Sequence, residues 1–222
     1  SCISDPCLGD PGSDPPAACQ DCCEGRPQYE DEGFQAFGPG QVVFMTRDKD
    51  DAAPAPGRGV LVAIDLTDEA TAPVGTNWLA PKFSHPAWTK DQIGSVFGVA
   101  IDDLGQVYVA HTSIYSQDPN FLARDAVGAL GGAGSIYRID ATTGVPSEFI
   151  QLPSSVDAGD FSNDGGPPEA MNSELRTGLG NIAWDCHRGV LWASNFDDGR
   201  IYGIDALGQV FATYDHATGV IT

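Results

Sequence analysis

Three short runs of this chain share one arrangement of apolar and polar positions: GVLVAID (59–65), GSIYRID (134–140) and GRIYGID (199–205). In each, apolar residues alternate, β-branched and aromatic side chains dominate, and a glycine and an aspartate bound the run. A period of two between turn residues predicts a half-buried strand. Upstream of the second and third runs stand SVFGVAIDDLGQVYVAHT (95–112) and GLGNIAWDCHRGVLWASN (178–195), which each predict strand, Asp-containing tight turn, strand. An offset of 83 positions aligns Val99 with Ile182, Ala100 with Ala183, Ile101 with Trp184 and Asp102 with Asp185. Beyond the turn it aligns Val107 with Val190 and Ala110 with Ala193. After each GxIYxID run the chain turns again, at ATTG (141–144) and ALG (206–208), into VPSEFIQL and QVFATYD. The recurring Asp65, Asp140 and Asp205 are expected to cap these turns through backbone hydrogen bonds.

The pattern is a four-stranded antiparallel meander written twice in full. A less complete first copy consists of VVFMTR (42–47), GVLVAID and a final stretch around APVGTNWL. One small twisted sheet cannot bury both faces, whereas repeated sheets stacked about an axis cover one another. The expected fold is therefore all-β: a β-propeller of four-stranded blades at about 40–90, 91–153 and 178–216, within residues 39–222. Ala100 and Ala183 are expected in the crowded inner part of a blade, and Phe97, Tyr137, Trp184, Trp192 and Tyr202 between blades. Insertions at 111–133 and 153–178 are expected on one face, where such loops often bind. Three units do not close a ring of four to eight blades. HATGVIT (216–222) reads as the start of a fourth unit, so further sequence or other chains are expected to complete the ring.

Composition adds three constraints. Eleven basic residues against 31 acidic ones give a net charge of −20, which argues against a nucleic-acid partner and suits a solvated surface or divalent-cation ligands. No apolar run is long enough for a membrane span. Five of six cysteines (Cys2, Cys7, Cys19, Cys22 and Cys23) fall in a Pro-, Asp- and Gly-rich extension, residues 1–38, with Cys186 far away. Such a segment needs cross-links, metal or a neighbouring surface to become ordered. Disulfides of a secreted protein are one reading, with Cys186 able to tie the extension to the main domain; a metal knuckle on Cys19 and Cys22 is the other. Six cysteines allow 15 pairings.

Candidate chemistry is sparse. DAGDFSNDGG places Asp157, Asp160, Asn163 and Asp164 close together before two glycines; it reads as a calcium loop or as an ordinary turn. Asp48, Asp50 and Asp51 read as a solvated loop tip, and Asp197 and Asp198 as a hairpin turn. WLAPKFSHPAW carries Trp78, Phe83, His85 and Trp88, either as a recognition surface for sugar or peptide or as an extended loop packed on the blades. His111, His187 and His216 share no motif with His85 or with one another. There is no nucleophile elbow, Walker loop, HExxH or dinucleotide fingerprint.

The phrases FGVAID…GQVYVA…GSIYRID and IAWD…GVLWASN…GRIYGID resemble the bacterial secreted six- and seven-bladed propellers, namely the NHL-repeat, streptogramin-lyase and regucalcin/gluconolactonase types. The resemblance covers under half the chain and implies architecture more than activity. The lactonase type has a metal-binding Asn at a position that falls on Gly180, with Asn181 one residue later, and an acidic residue at a position that falls on Asn195. The lyase type has a His and Glu pair on late blades that these residues do not include. The expected function is a secreted or cell-surface module, periplasmic as an alternative, for binding, scaffolding or assembly. It would be non-catalytic in this chain, with protein or carbohydrate partners and a homo- or hetero-oligomeric state. The alternatives are a metal-dependent propeller hydrolase, lactonase or lyase with catalytic residues beyond residue 222, and a subunit of an extracellular filament.

Overall fold

In the computed structural model, residues 42–47, 59–65, 82–112, 128–154 and 178–222 are described. They form three antiparallel sheets and one short helix, α1 (Lys90–Ile93). Sheet 1 holds β1 (Val42–Thr46), β2 (Leu61–Asp65) and β3 (Lys82–Phe83). Sheet 2 is the meander β4 (Val96–Ile101), β5 (Val107–His111), β6 (Ser135–Ile139) and β7 (Pro146–Gln151). Sheet 3 is the meander β8 (Leu179–Asp185), β9 (Val190–Asn195), β10 (Arg200–Ile204) and β11 (Val210–Asp215), extended by β12 (Val220–Ile221). The three repeated runs are β2, β6 and β10.

Side-chain alternation turns the sheets into a stack. Successive residues of a strand point to opposite faces. In β5, Val107 and Val109 join Val42, Phe44, Leu61, Ala63 and Trp88 in a core between sheets 1 and 2. Tyr108 and Ala110 join Leu179, Ile182, Leu191, Ala193 and Ile204 in a second core between sheets 2 and 3. Sheet 2 is thus covered on both faces, which is why all five β5 residues are buried. β4 lies against both β1 and β8. It meets β8 so closely that a Cβ on Gly98 would stand 2.8 Å from the Gly180 carbonyl oxygen.

The turns are built from two sequence phrases. In Asp-x-Leu-Gly-Gln, at 102–106 and 205–209, the aspartate Oδ1 accepts the N–H of the leucine and of the glutamine at 2.8–2.9 Å. In Asx-x-x-x-Gly, at 140–144, 185–189, 195–199 and 215–219, the closing glycine N–H donates to the first carbonyl at 2.8–3.0 Å. That glycine takes a positive φ, for example 71° at Gly144, which favours a residue without a Cβ. The capping expected of Asp140 and Asp205 is present.

Several expectations are corrected. HATGVIT does not open a fourth unit: Asp215–Gly219 is another Asx-x-x-x-Gly turn, and Val220 and Ile221 pair back on Asp215 and Tyr214. The offset of 83 holds on β8 but becomes 84 on β9. Ile101 pairs with Val107 across five residues, whereas its counterpart Trp184 pairs with Leu191 across six. Val107 therefore corresponds to Leu191, and Val109 to Ala193; a one-residue slip exchanges the two faces of a strand. Ala183 is exposed and not in a crowded interior, and Phe97 is 44% exposed. The strand that pairs with β2 is Lys82–Phe83; the stretch around APVGTNWL lies outside the described residues.

The turn carboxylates also set a pH response. Hydrogen bonds from Thr143 hold Asp140 below its usual pKa. At Asp185 burial pushes upward, but the Arg188 side chain and backbone N–H outweigh it and the net shift is downward. A depressed carboxylate stabilises the fold above its unfolded pKa, and that contribution is lost as pH falls through the folded value. Asp185→Asn should therefore be less stable than the native chain at neutral pH, with the gap closing as pH falls below the ordinary carboxylate value of 3.8. Thermal unfolding of both across this range checks it; a gap that stays constant with pH would contradict it.

Candidate functional site

In each meander the first–second and third–fourth turns lie at one end and the second–third connection at the other. The Asp102, Asp140, Asp185 and Asp205 turns therefore mark one end of their sheets. The opposite end gathers the roots of both long insertions. The chain leaves β5 at Thr112, which bridges to Gly178 at the start of β8, and leaves β7 through Leu152–Ser154. Leu152 N–H donates to the Gly134 carbonyl at 2.9 Å.

A polar latch closes this end. Asn195 Nδ2 donates to the Pro153 carbonyl at 2.7 Å, and Asn195 Oδ1 accepts the Asp197 N–H at 3.0 Å. Asp197 Oδ2 accepts the Ser154 hydroxyl at 2.9 Å, and its Oδ1 accepts the Gly178 N–H at 3.3 Å. Asp197 is therefore more than a turn residue: one carboxylate ties the residue before the insertion to the residue after it. Asp198 fills the turn role, accepting the Arg200 N–H at 3.0 Å and the Tyr202 hydroxyl. Phe196, 58% exposed, lies over Gly180, where a Cβ would stand 2.6 Å from its ring. Asp197→Ala is expected to cost about 1–3 kcal/mol by removing the acceptor of the Gly178 N–H and the carboxylate contact of the Ser154 hydroxyl. Limited proteolysis should then cut faster near 154 and 178; an unchanged cleavage rate and unchanged stability would contradict the latch.

Nearby, the fully buried Ser135 donates to Glu148 Oε1 at 2.9 Å and accepts the Gly132 N–H at 2.8 Å. A Cβ on Gly131 would sit 3.0 Å from the Tyr137 hydroxyl, and burial pushes that phenol up to about 12. The Ser135 hydroxyl is committed to positioning the β6–β7 edge, and no imidazole stands in this group. Neither it nor the Asn195–Asp197 latch was singled out from sequence, because both depend on which strand ends the fold brings together.

The first strands contribute little reactive chemistry. β4 carries Val, Phe, Gly, Val, Ala and Ile, none of them titratable, and β8 carries one ionisable group, Asp185, in its terminal turn. Asp102, after β4, is raised by burial against the opposing hydrogen bonds of Gln106 and Leu104, and it also accepts the Tyr108 hydroxyl at 3.0 Å. It is a turn and core residue.

The aromatic stretch is divided. Trp88 has no exposed surface, donates its Nε1–H to the Gly144 carbonyl at 2.8 Å, and meets Phe44 and Phe83 edge-on at 6.1 and 5.7 Å. This removes Trp88 from any recognition surface; it is core. His85 is half-buried and tilted against Trp88, and Phe83 is half-buried in β3. Trp78 lies outside the described residues, as do Asp157, Asp160, Asn163 and Asp164, the Asp48–Asp51 loop tip, and Cys2, Cys7, Cys19, Cys22 and Cys23. Cys186 sits in the β8–β9 turn, at the end away from the insertions, and is disulfide-bonded. Among the described residues no group of three or more His, Cys, Asp or Glu is placed to hold a metal, and no helix is long and apolar enough to cross a membrane. No protein-family model matches the chain, and neither does any curated protein sequence.

Proposed function

We propose that this chain is a run of β-propeller blades belonging to a secreted or cell-surface protein, and that it binds protein or carbohydrate partners through the insertion end. The observation that carries the reading is the rooting of both long insertions at one end of sheets 2 and 3, locked by Asn195 and Asp197 and opposite the tight aspartate turns of these two sheets. Rigid sheets that present long loops at one end are a common plan for recognition. The adjacent first strands β4 and β8, crossing at Gly98 and Gly180, favour blades around a common axis. The strongly acidic surface suits an extracellular setting. Asp157, Asp160, Asn163 and Asp164 would supply oxygen ligands to calcium within the second insertion. Catalysis is assigned to no residue of this chain.

The test replaces residues 155–177 with a short Gly/Ser linker and screens both proteins against a glycan panel and a panel of extracellular proteins. Binding by the native chain that the replacement abolishes, with the circular dichroism unchanged, supports the reading. Equal binding by both proteins, or lactone turnover by the native chain with added divalent metal, would overturn it. Added calcium should raise the unfolding temperature of the native chain and leave the replacement unchanged.

A further inference from the structure

We infer that Cys186 is bonded to one of the five cysteines of the extension 1–38, so that a disulfide straps the extension to the turn end of sheet 3. Cys186 is disulfide-bonded. It is the only cysteine in residues 24–222, so its partner within the chain is Cys2, Cys7, Cys19, Cys22 or Cys23. The four left over are even in number and can pair among themselves. A tethered partner is present at a far higher effective concentration than a second chain, and two chains of charge −20 repel. Both effects favour closure within one chain.

The turn itself does not call for a cysteine. The four Asx-x-x-x-Gly turns carry Ala141, Cys186, Phe196 and His216 at their second position, one buried, one half-buried and two exposed. The phrase therefore closes around quite different side chains. In the β8–β9 turn, Asp185 Oδ1 accepts the His187 and Arg188 N–H groups at 3.1 and 3.2 Å. Its Oδ2 accepts Arg188 Nη1–H at 2.9 Å, and the Gly189 N–H donates to the Asp185 carbonyl at 2.8 Å. Cys186 thus stands on a half-buried point whose backbone is fixed by its neighbours and not by its sulfur. That is the setting of an anchor.

Reach permits the bond and charge makes it necessary. Residues 24–41 join Cys23 to β1, and an extended chain of that length spans roughly 60 Å. Stacked sheets lie about 10 Å apart, and two such steps separate sheet 1 from sheet 3. The extension has eight acidic residues against one basic, Arg26, while the turn end of sheets 2 and 3 carries Asp102, Asp140, Asp185 and Asp205. Like charges repel, so a covalent tie has to hold the extension at this end. Forming it removes two protons and two electrons from two thiols. A disulfide oxidant of an extracytoplasmic compartment takes them up and becomes a pair of thiols. The closed loop holds at least 162 residues and includes β1 to β7, so the bond restricts the unfolded chain strongly.

Peptide mapping of the full chain without reduction tests the bond. Trypsin leaves all five extension cysteines in residues 1–47 and Cys186 in residues 177–188. The expected product joins these two peptides and separates on reduction. Cys186 recovered as a free thiol, capped by a small thiol, or joined to a second copy of 177–188 would each overturn the inference. Cys186→Ser should lower the unfolding temperature by about 5–15 °C with the far-ultraviolet circular dichroism unchanged. An unchanged unfolding temperature would overturn the strap. Neither readout depends on the binding proposed for the insertion end, which can fail while the bond stands.

Discussion

Trp88→Ala should lower the unfolding free energy by about 3–5 kcal/mol, the range for emptying a large aromatic from a core. Trp88 lies where β1, β3 and the sheet 2 turn at Gly144 meet, in edge-on contact with Phe44 and Phe83 and hydrogen-bonded to the Gly144 carbonyl. Removing it opens a cavity between sheets 1 and 2 and leaves a buried carbonyl without its donor. Trp88→Phe keeps most of the volume and should recover much of the loss, the missing hydrogen bond still costing roughly 1 kcal/mol. Urea titration of the three proteins reads the difference as a shift in midpoint. A loss below about 1 kcal/mol for the alanine variant would mean that the indole is not in a core.

Gly98→Val should cost more than about 3 kcal/mol, above the usual range for overpacking, because the obstacle is backbone. The first added carbon would stand 2.8 Å from the Gly180 carbonyl and 3.0 Å from the Ile182 nitrogen, both in β8. Relief requires sheet 3 to move away from sheet 2, which uncovers Tyr108, Ala110 and Ile136. Gly180→Ala is the control. Its added carbon meets the Ser194 hydroxyl at 2.5 Å and the Phe196 ring at 2.6 Å, side chains that can rotate, so a loss of about 1 kcal/mol is expected. Equal losses from the two substitutions would contradict the close β4–β8 crossing.

The strands were legible because they obey a period of two between turn residues. All three GxΦΦxID runs and both complete meanders follow the pattern read from sequence. The turn that separates Asp102 from Val107 was harder to match with its counterpart. DDLGQV and DCHRGVL differ by one residue, and aligning valine on valine hides the difference although it exchanges the faces of β9. The last hairpin had an unused signal: DHATG repeats the Asx-x-x-x-Gly phrase of DATTG and DCHRG, each followed by a strand. The burial of Trp88 and the Asn195–Asp197 latch leave no local trace. Both arise from contacts between segments far apart in the chain, at 88 and 144, and at 154, 178 and 197. Most of the functional reading belongs to the insertions, whose sequences have neither period nor motif.

The central claim is that the repeated meanders stack face to face as blades, and a double-mutant cycle across the sheet 2–sheet 3 boundary tests it most directly. Tyr108 and Trp184 stack at 6.0 Å and 5°. The stability of the native chain, Tyr108→Leu, Trp184→Leu and the double variant should yield a coupling energy of about 0.5–1.5 kcal/mol. Strictly additive losses would place the two rings apart and contradict the stack.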